Sequence, residues 1–191
     1  MTKDDIIVLP NPNLRKKSQN ISKISKDVKQ LVASMTAATA SWDESREHEI
    51  GVALAAIQID QPYRIIVIKN DPESKEDMTF KAYINPEIIK FYGDIVEDYE
   101  GCLSVPDFYG KVPRYSKVRI KATGIDGRPI NLTASGFLAK IFQHEIDHTN
   151  GVLFVDRIKE IKEAFYRLNS EGKLEKLDYK KDVQKNPILW Q

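Results

Sequence analysis

Residues 135–151 read SGFLAKIFQHEIDHTNG. Phe137, Leu138, Ile141, Phe142 and Ile146 recur at helical spacing and make one apolar face. Ser135 offers an N-cap, and Gly151 sits where a helix stops. The pattern predicts a helix over Gly136–Thr149. Residues four apart share a helix face, so His144 and His148 can point both imidazoles at one metal ion. Glu145, beside the first of them, can reach a water at that ion and take its proton.

Outward from this helix the chain changes character. Residues 64–68 are a β-branched run, and Val118, Ile120 and Ala122 alternate with polar residues. Asp126-Gly127 signals a hairpin ahead of Ile130 and Leu132. Gly93-Asp94 predicts another, between residues 88–92 and 95–99. Nearer the start, Ile24, Val28, Leu31, Val32 and Met35 with Ser25 as N-cap predict a helix over 25–41, followed by a polar loop over 42–50. A last helical stretch is predicted over 158–169. Helix, run of strands, then helix is an α+β order. The expected architecture is a single domain over 1–191, with mostly antiparallel sheet around a central metal-binding helix and helices at both ends.

Composition narrows the function. Of 191 residues, 41% are apolar and 30% charged, an ordinary soluble balance. The 29 basic residues nearly cancel the 28 acidic ones, which argues against nucleic acid or an anionic membrane as main partner. Cys102 is the single cysteine, so no internal disulfide forms and a reducing compartment is expected. The opening MTKDDIIVLP lacks a signal-peptide pattern, and no segment approaches the ~20 apolar residues of a membrane span. The expected location is the cytoplasm.

A catalytic metal site usually has three protein ligands and an open position. In the pattern HExxHxxGxxH the third ligand position falls here on Phe154, which cannot bind metal. Glu163, Glu171 and Glu175 are downstream alternatives, but their charged surroundings read as solvated helix faces. His48 reads as an exposed loop residue. Cys102 lies in Glu100-Gly101-Cys102-Leu103-Ser104, and a thiolate is a strong ligand. Taken alone, Cys102 reads equally well as a buried apolar residue. A further segment, GVALAAIQ over 51–58, has small residues that let another backbone come close. Its Gln58 offers an amide donor to a developing oxyanion.

GVALAAIQ (51–58), EGCLS (100–104) and HEIDH (144–148), in that order, resemble the peptide deformylases, whose motifs are G-x-G-L-A-A-x-Q, E-G-C-x-S and H-E-x-D-H. The resemblance covers residues 6–157, including Leu14-Arg15 and the stretch after Gly151, and leaves 158–191 as an extension. It implies that Cys102, His144 and His148 hold one divalent metal ion, ferrous iron first, with zinc or nickel able to replace it. It implies Glu145 as general base and proton donor, and the Gln58 amide and Leu103 N–H as oxyanion donors. Gly51, Val52, Ala53, Glu100 and Gly101 would hold the substrate as an added strand. Val52 and the metal helix would line a methionine pocket. The implied reaction removes the formyl group from the N-terminal formylmethionine of nascent chains near the ribosome, with neither nucleic acid nor membrane as direct partner and the oligomeric state open. Ala53 replaces the motif's second glycine and is expected to obstruct the substrate backbone. Lys140 stands where an aliphatic pocket residue is more usual, its stem expected to line the pocket and its ammonium to reach water. Two competing readings are a zinc peptidase with a downstream Glu ligand and a homologue that binds N-terminal peptides without turning them over.

Overall fold

A computed structural model describes residues 1–46 and 49–190; the expectation for His48 lies outside the described residues. Helix α1 (Lys26–Glu44) starts at Ser25, whose hydroxyl accepts the Val28 N–H at 3.3 Å. It runs three residues past the expected end, because Asp43 is drawn inward to the ammonium of Lys69 at 2.9 Å. The polar loop therefore begins only at Ser45.

The strands β1 (Ala53–Ala55), β2 (Ile65–Lys69), β3 (Phe80–Glu100), β4 (Phe108–Thr123), β5 (Pro129–Ser135), β6 (Phe165–Leu168) and β7 (Leu174–Lys176) form one seven-stranded sheet. The strand pairs are antiparallel, in the order β1-β2-β3-β4-β6-β7, with β5 also on β4. Strand β2 is buried along its whole length. Its Ile65 and Val67 join the core under α1, with Met35 and Ala38, while Ile66 and Ile68 join the core under α2 (Gly136–Thr149). That explains a run of four apolar residues without alternation. The fold class is α+β, as expected.

Strands β5 and β6 pair with opposite ends of β4 and leave a gap between them. Helix α2 seats itself there. The side-chain amide of Gln143 accepts the Tyr115 N–H at 3.1 Å and donates to the Tyr115 carbonyl at 2.8 Å, as a neighbouring strand would. Ser135 occupies the N-cap position without a side-chain bond. Gly151 ends α2 with φ +76°.

Two local expectations are corrected. Gly93-Asp94 does not turn a hairpin; β3 continues through it. Gly93, at φ +80°, and Asp94 lie opposite the single residue Ser116, so the glycine serves a β-bulge. Residues 158–169 are not a helix. After the short helix α3 (Phe154–Arg157), the chain makes a 3-10 turn at Lys162–Ala164 and then β6, followed later by a helical turn at Tyr179–Val183. Phe165 is fully buried against β4, and strand pairing with Phe108–Gly110 overrides a helical pattern that had too few apolar positions to fill a core face. No described helix is long and apolar enough to cross a membrane.

Gly151 separates strain from crowding. A Cβ there would stand 2.3 Å from the Arg15 carbonyl oxygen, whereas at Gly127, also at positive φ, it would meet nothing within 4 Å. Urea unfolding should show Gly127→Ala losing about 1 kcal/mol and Gly151→Ala at least about 2 kcal/mol. Equal losses would mean that backbone conformation alone fixes both glycines.

Candidate active site

Cys102 lies in the connection between β3 and β4, and His144 and His148 lie one turn apart on α2. The His148 Nε2 stands 3.1 Å from the His144 Nε2 and 3.3 Å from the Cys102 Sγ. All three donor atoms fall within 4.8 Å of one another. A tetrahedral ion at about 2.1 Å from nitrogen and about 2.3 Å from sulfur needs donor separations of about 3.4–3.6 Å. Both His148 separations are a few tenths of an ångström shorter than this, so the set fits a metal with small adjustment of the side chains. Glu163, Glu171 and Glu175 do not join it. Glu163 pairs with Lys176 and Glu171 with Lys173, both exposed, and Glu175 accepts from Asn169.

The two imidazoles differ in character. Burial opposes charge on His144, but its contacts with Cys102 and Glu100 prevail and raise its pKa well above the ordinary range. His148 is pushed well below that range by burial, then by the nearby charges of His144, Arg114 and Arg15. A metal must displace the His144 proton, so metal affinity falls as pH falls. Glu145 is buried in the cleft wall, and its Oε2 has no hydrogen-bond partner among the described residues. Burial pushes its carboxyl up to about 7, which suits a group that takes and returns a proton near neutrality.

Gln58 sits in a 3-10 turn directly after β1. Its Oε1 accepts the Ala55 N–H at 2.8 Å, which fixes the amide so that Nε2 points at the Cys102 Sγ, 3.6 Å away, and the Ser104 hydroxyl, 3.1 Å away. Leu103 lines the same cleft, and its N–H has no acceptor among the described residues. The cleft has a volume of about 610 Å³.

Strand β1 forms one edge of the sheet. The Lys69 N–H donates to the Val52 carbonyl at 2.8 Å, so by strand alternation the main-chain groups of Ala53 face the open edge. The Ala53 side chain is buried and belongs to the core shared with α2. It stands perpendicular to the sheet, out of the plane in which an added strand would lie. Ala53 also lines the cleft, so it is the burial of its methyl in this core that speaks against the expected obstruction. Gly51 turns its N–H to Asp43 at 3.0 Å, and a Cβ there would stand 3.2 Å from the Thr39 carbonyl. It lets the chain pass close under α1 and is not in the cleft wall. Gly101 is in the wall, with the Tyr109 ring packed over it.

The sequence reading placed Glu100 against substrate, but its carboxylate faces inward. It accepts from the His144 Nδ1 at 2.9 Å and from Arg114 through two bonds of 2.8 and 3.0 Å. Burial works against its ionisation, yet His144 and Arg114 hold its pKa down to about 2. Only its main chain is available to a peptide. Arg114 also donates to Asp147, which in turn is held by Arg157. Sequence reasoning missed Arg114 and Asp147. The available signal was an arginine at an inward position of β4, in step with the buried Val112. Glu100→Gln should release the His144 ring and weaken metal binding about 10- to 100-fold, measured by chelator competition. Unchanged affinity would show that Glu100 does not orient the ligand.

A family model described as polypeptide deformylase matches residues 3–164. The chain is 41% identical over 162 residues to a peptide deformylase of Agrobacterium fabrum, covering 85% of this chain and 91% of that one. It is 42% identical over 158 residues to one of Thermomicrobium roseum, covering 81% and 85%. Among solved structures, the Synechococcus elongatus peptide deformylase in complex with actinonin is similar with a TM-score of 0.71 and 36% identity, covering 80% of this chain and 78% of that one. The Thermotoga maritima enzyme is similar with a TM-score of 0.70 and 32% identity, covering 80% and 95%. With a family model spanning most of its length and relatives near 40% identity, this chain belongs to the polypeptide deformylase family.

Proposed function

We propose that Cys102, His144 and His148 hold one divalent metal ion, and that Glu145, Gln58 and the Leu103 N–H act on the formyl group of an N-terminal formylmethionine. The reaction follows from the family: the chain is a metal-dependent hydrolase that removes this formyl group and releases formate. The observation that carries the assignment of roles is convergence. A thiol, an imidazole and a buried carboxylate line one cleft beside a free strand edge, and the second imidazole, of the buried His148, stands within ligand distance of the first two.

A bound divalent metal supplies Lewis acidity, polarising the formyl oxygen and acidifying a water. Glu145 takes the proton of the attacking water. As the formyl carbon becomes tetrahedral, the Gln58 Nε2 and Leu103 N–H donate to its oxygen. Glu145 then returns the proton to the amine as the carbon–nitrogen bond breaks, leaving formate and a free N-terminus. The outward main chain of Ala53 and the main chain at Glu100–Gly101 orient the peptide between them, and Val52 with Ile141 receives the methionine side chain. The thiolate and imidazoles suit iron, zinc and nickel alike; the family resemblance favours ferrous iron. The substrate places the proposed site of action near the ribosome in the cytoplasm, in keeping with a lone unpaired cysteine.

Formate release from formyl-Met-Ala by anaerobically prepared, iron-loaded protein tests the reading. Glu145→Gln should keep its metal and lose ~10²–10⁴-fold in turnover. Cys102→Ala should lose most of its metal; full stoichiometry in that variant would overturn the ligand set. Zinc-loaded protein at matched occupancy should turn over more slowly than iron-loaded protein. Because the Ala53 methyl is buried in the core, Ala53→Gly should bring no gain in kcat/KM. A clear rise would mean that the methyl meets the substrate after all.

A further inference from the structure

The face of α2 that carries His144 and Glu145 also carries Phe137, Lys140 and Ile141, and all five line the cleft. Apart from His144 and Glu145 this wall is apolar at Phe137 and Ile141, and Val52 lines the same cleft. Lys140 is the exception. Its side chain is 14% exposed, and its ammonium is bonded to the Asp98 carboxylate, which is 49% exposed. Asp98 lies two residues before Glu100 on β3, so the pair joins the helix wall of the cleft to its strand wall. An ammonium carries three N–H donors. Asp98 takes one, and no other acceptor among the described residues is bonded to Lys140.

We infer that Lys140, held by Asp98, is a specificity-determining residue that lets the cleft take N-formyl peptides whose first side chain ends in an uncharged hydrogen-bond acceptor, methionine sulfoxide above all. This rests on the deformylase reading of the site. Oxidation turns methionine's thioether into a polar sulfoxide without changing the length of its chain. In a wholly apolar pocket the sulfoxide oxygen would be buried without a donor, a costly state. Here the spare N–H groups of Lys140 meet it. Unoxidised methionine is still accepted, because the ammonium keeps Asp98 and partial access to water and is never left as an isolated buried charge. A carboxylate-ended side chain is disfavoured by Asp98, whose charge stands beside the same ammonium.

The test compares kcat/KM for formyl-Met-Ala and formyl-Met(sulfoxide)-Ala in the iron-loaded parent, Lys140→Met and Lys140→Arg. The parent should process the sulfoxide peptide within about tenfold of the methionine peptide. Lys140→Met should lower the sulfoxide-to-methionine ratio by about ten- to a hundredfold, mainly through KM, the effect of one hydrogen bond to a charged group. Lys140→Arg should largely restore the ratio. Should Lys140→Met fail to fold, Lys140→Leu serves the same comparison. A ratio unmoved by removing the ammonium, or a parent that rejects the sulfoxide by about a thousandfold, overturns the proposal. No formate from formyl-Met-Ala in the parent would overturn the deformylase reading itself, so the two failures are distinguishable.

Discussion

The buried guanidinium of Arg114 holds together the parts on which the metal site depends. It grips Glu100 with two bonds and Asp147 with a third. Glu100 ends β3, Asp147 lies on α2 between His144 and His148, and Arg114 itself is in the middle of β4. One side chain therefore locks the relative positions of the three elements nearest the ligands. Without it, two carboxylates would be buried with too few partners, a state that costs several kcal/mol. The same network gives His144 its orientation, because the Glu100 oxygen that meets Arg114 also meets the imidazole. Arg157 closes the chain on Asp147, so the alternating charges balance.

Around this lock the sheet is shaped to admit a helix. Strand β4 is shared by β3 on one side and by β5 and β6 on the other, and α2 fills the interval between them through Gln143. The residue before His144 thus anchors the metal helix to the sheet main chain. Strand β2, buried on both faces, supports β1, whose outer edge stays open beside the cleft. Gln58 lies in the turn that follows β1, and Ala55 fixes its amide. Helix α2 places His144, Glu145 and His148, while Cys102, Leu103 and Gln58 come from the connections that follow β3 and β1, tied together by the bonds of the Gln58 amide.

What could be read from sequence was local. Helix α2 was legible from Gly136 to Thr149 because its apolar spacing, its start at Ser135 and its stop at Gly151 all agree. The Asp126-Gly127 turn was legible for the same reason. Gly93 misled because a positive φ serves a bulge as well as a turn, and only the partner strand shows which. Residues 158–169 misled because charged residues at loosely helical spacing carry little information against strand pairing with β4. Lys140 lines the cleft as the sequence suggests, but its ammonium is also paired with the half-exposed carboxylate of Asp98, a partner no local pattern records.

By itself, the sequence determined the chemistry: a histidine pair four residues apart, an adjacent glutamate and a single cysteine, because helical periodicity and ligand type are properties of the chain alone. The tertiary structure decided what each polar group faces. It turned the Glu100 carboxylate toward His144 and away from substrate, made Arg114 and Asp147 part of the site, and sent the Ala53 methyl into the core while leaving its main chain at the open edge. Those outcomes depend on residues far apart in the chain sharing a low-dielectric interior, where each buried charge must find its partner, and no local pattern records which partner that will be.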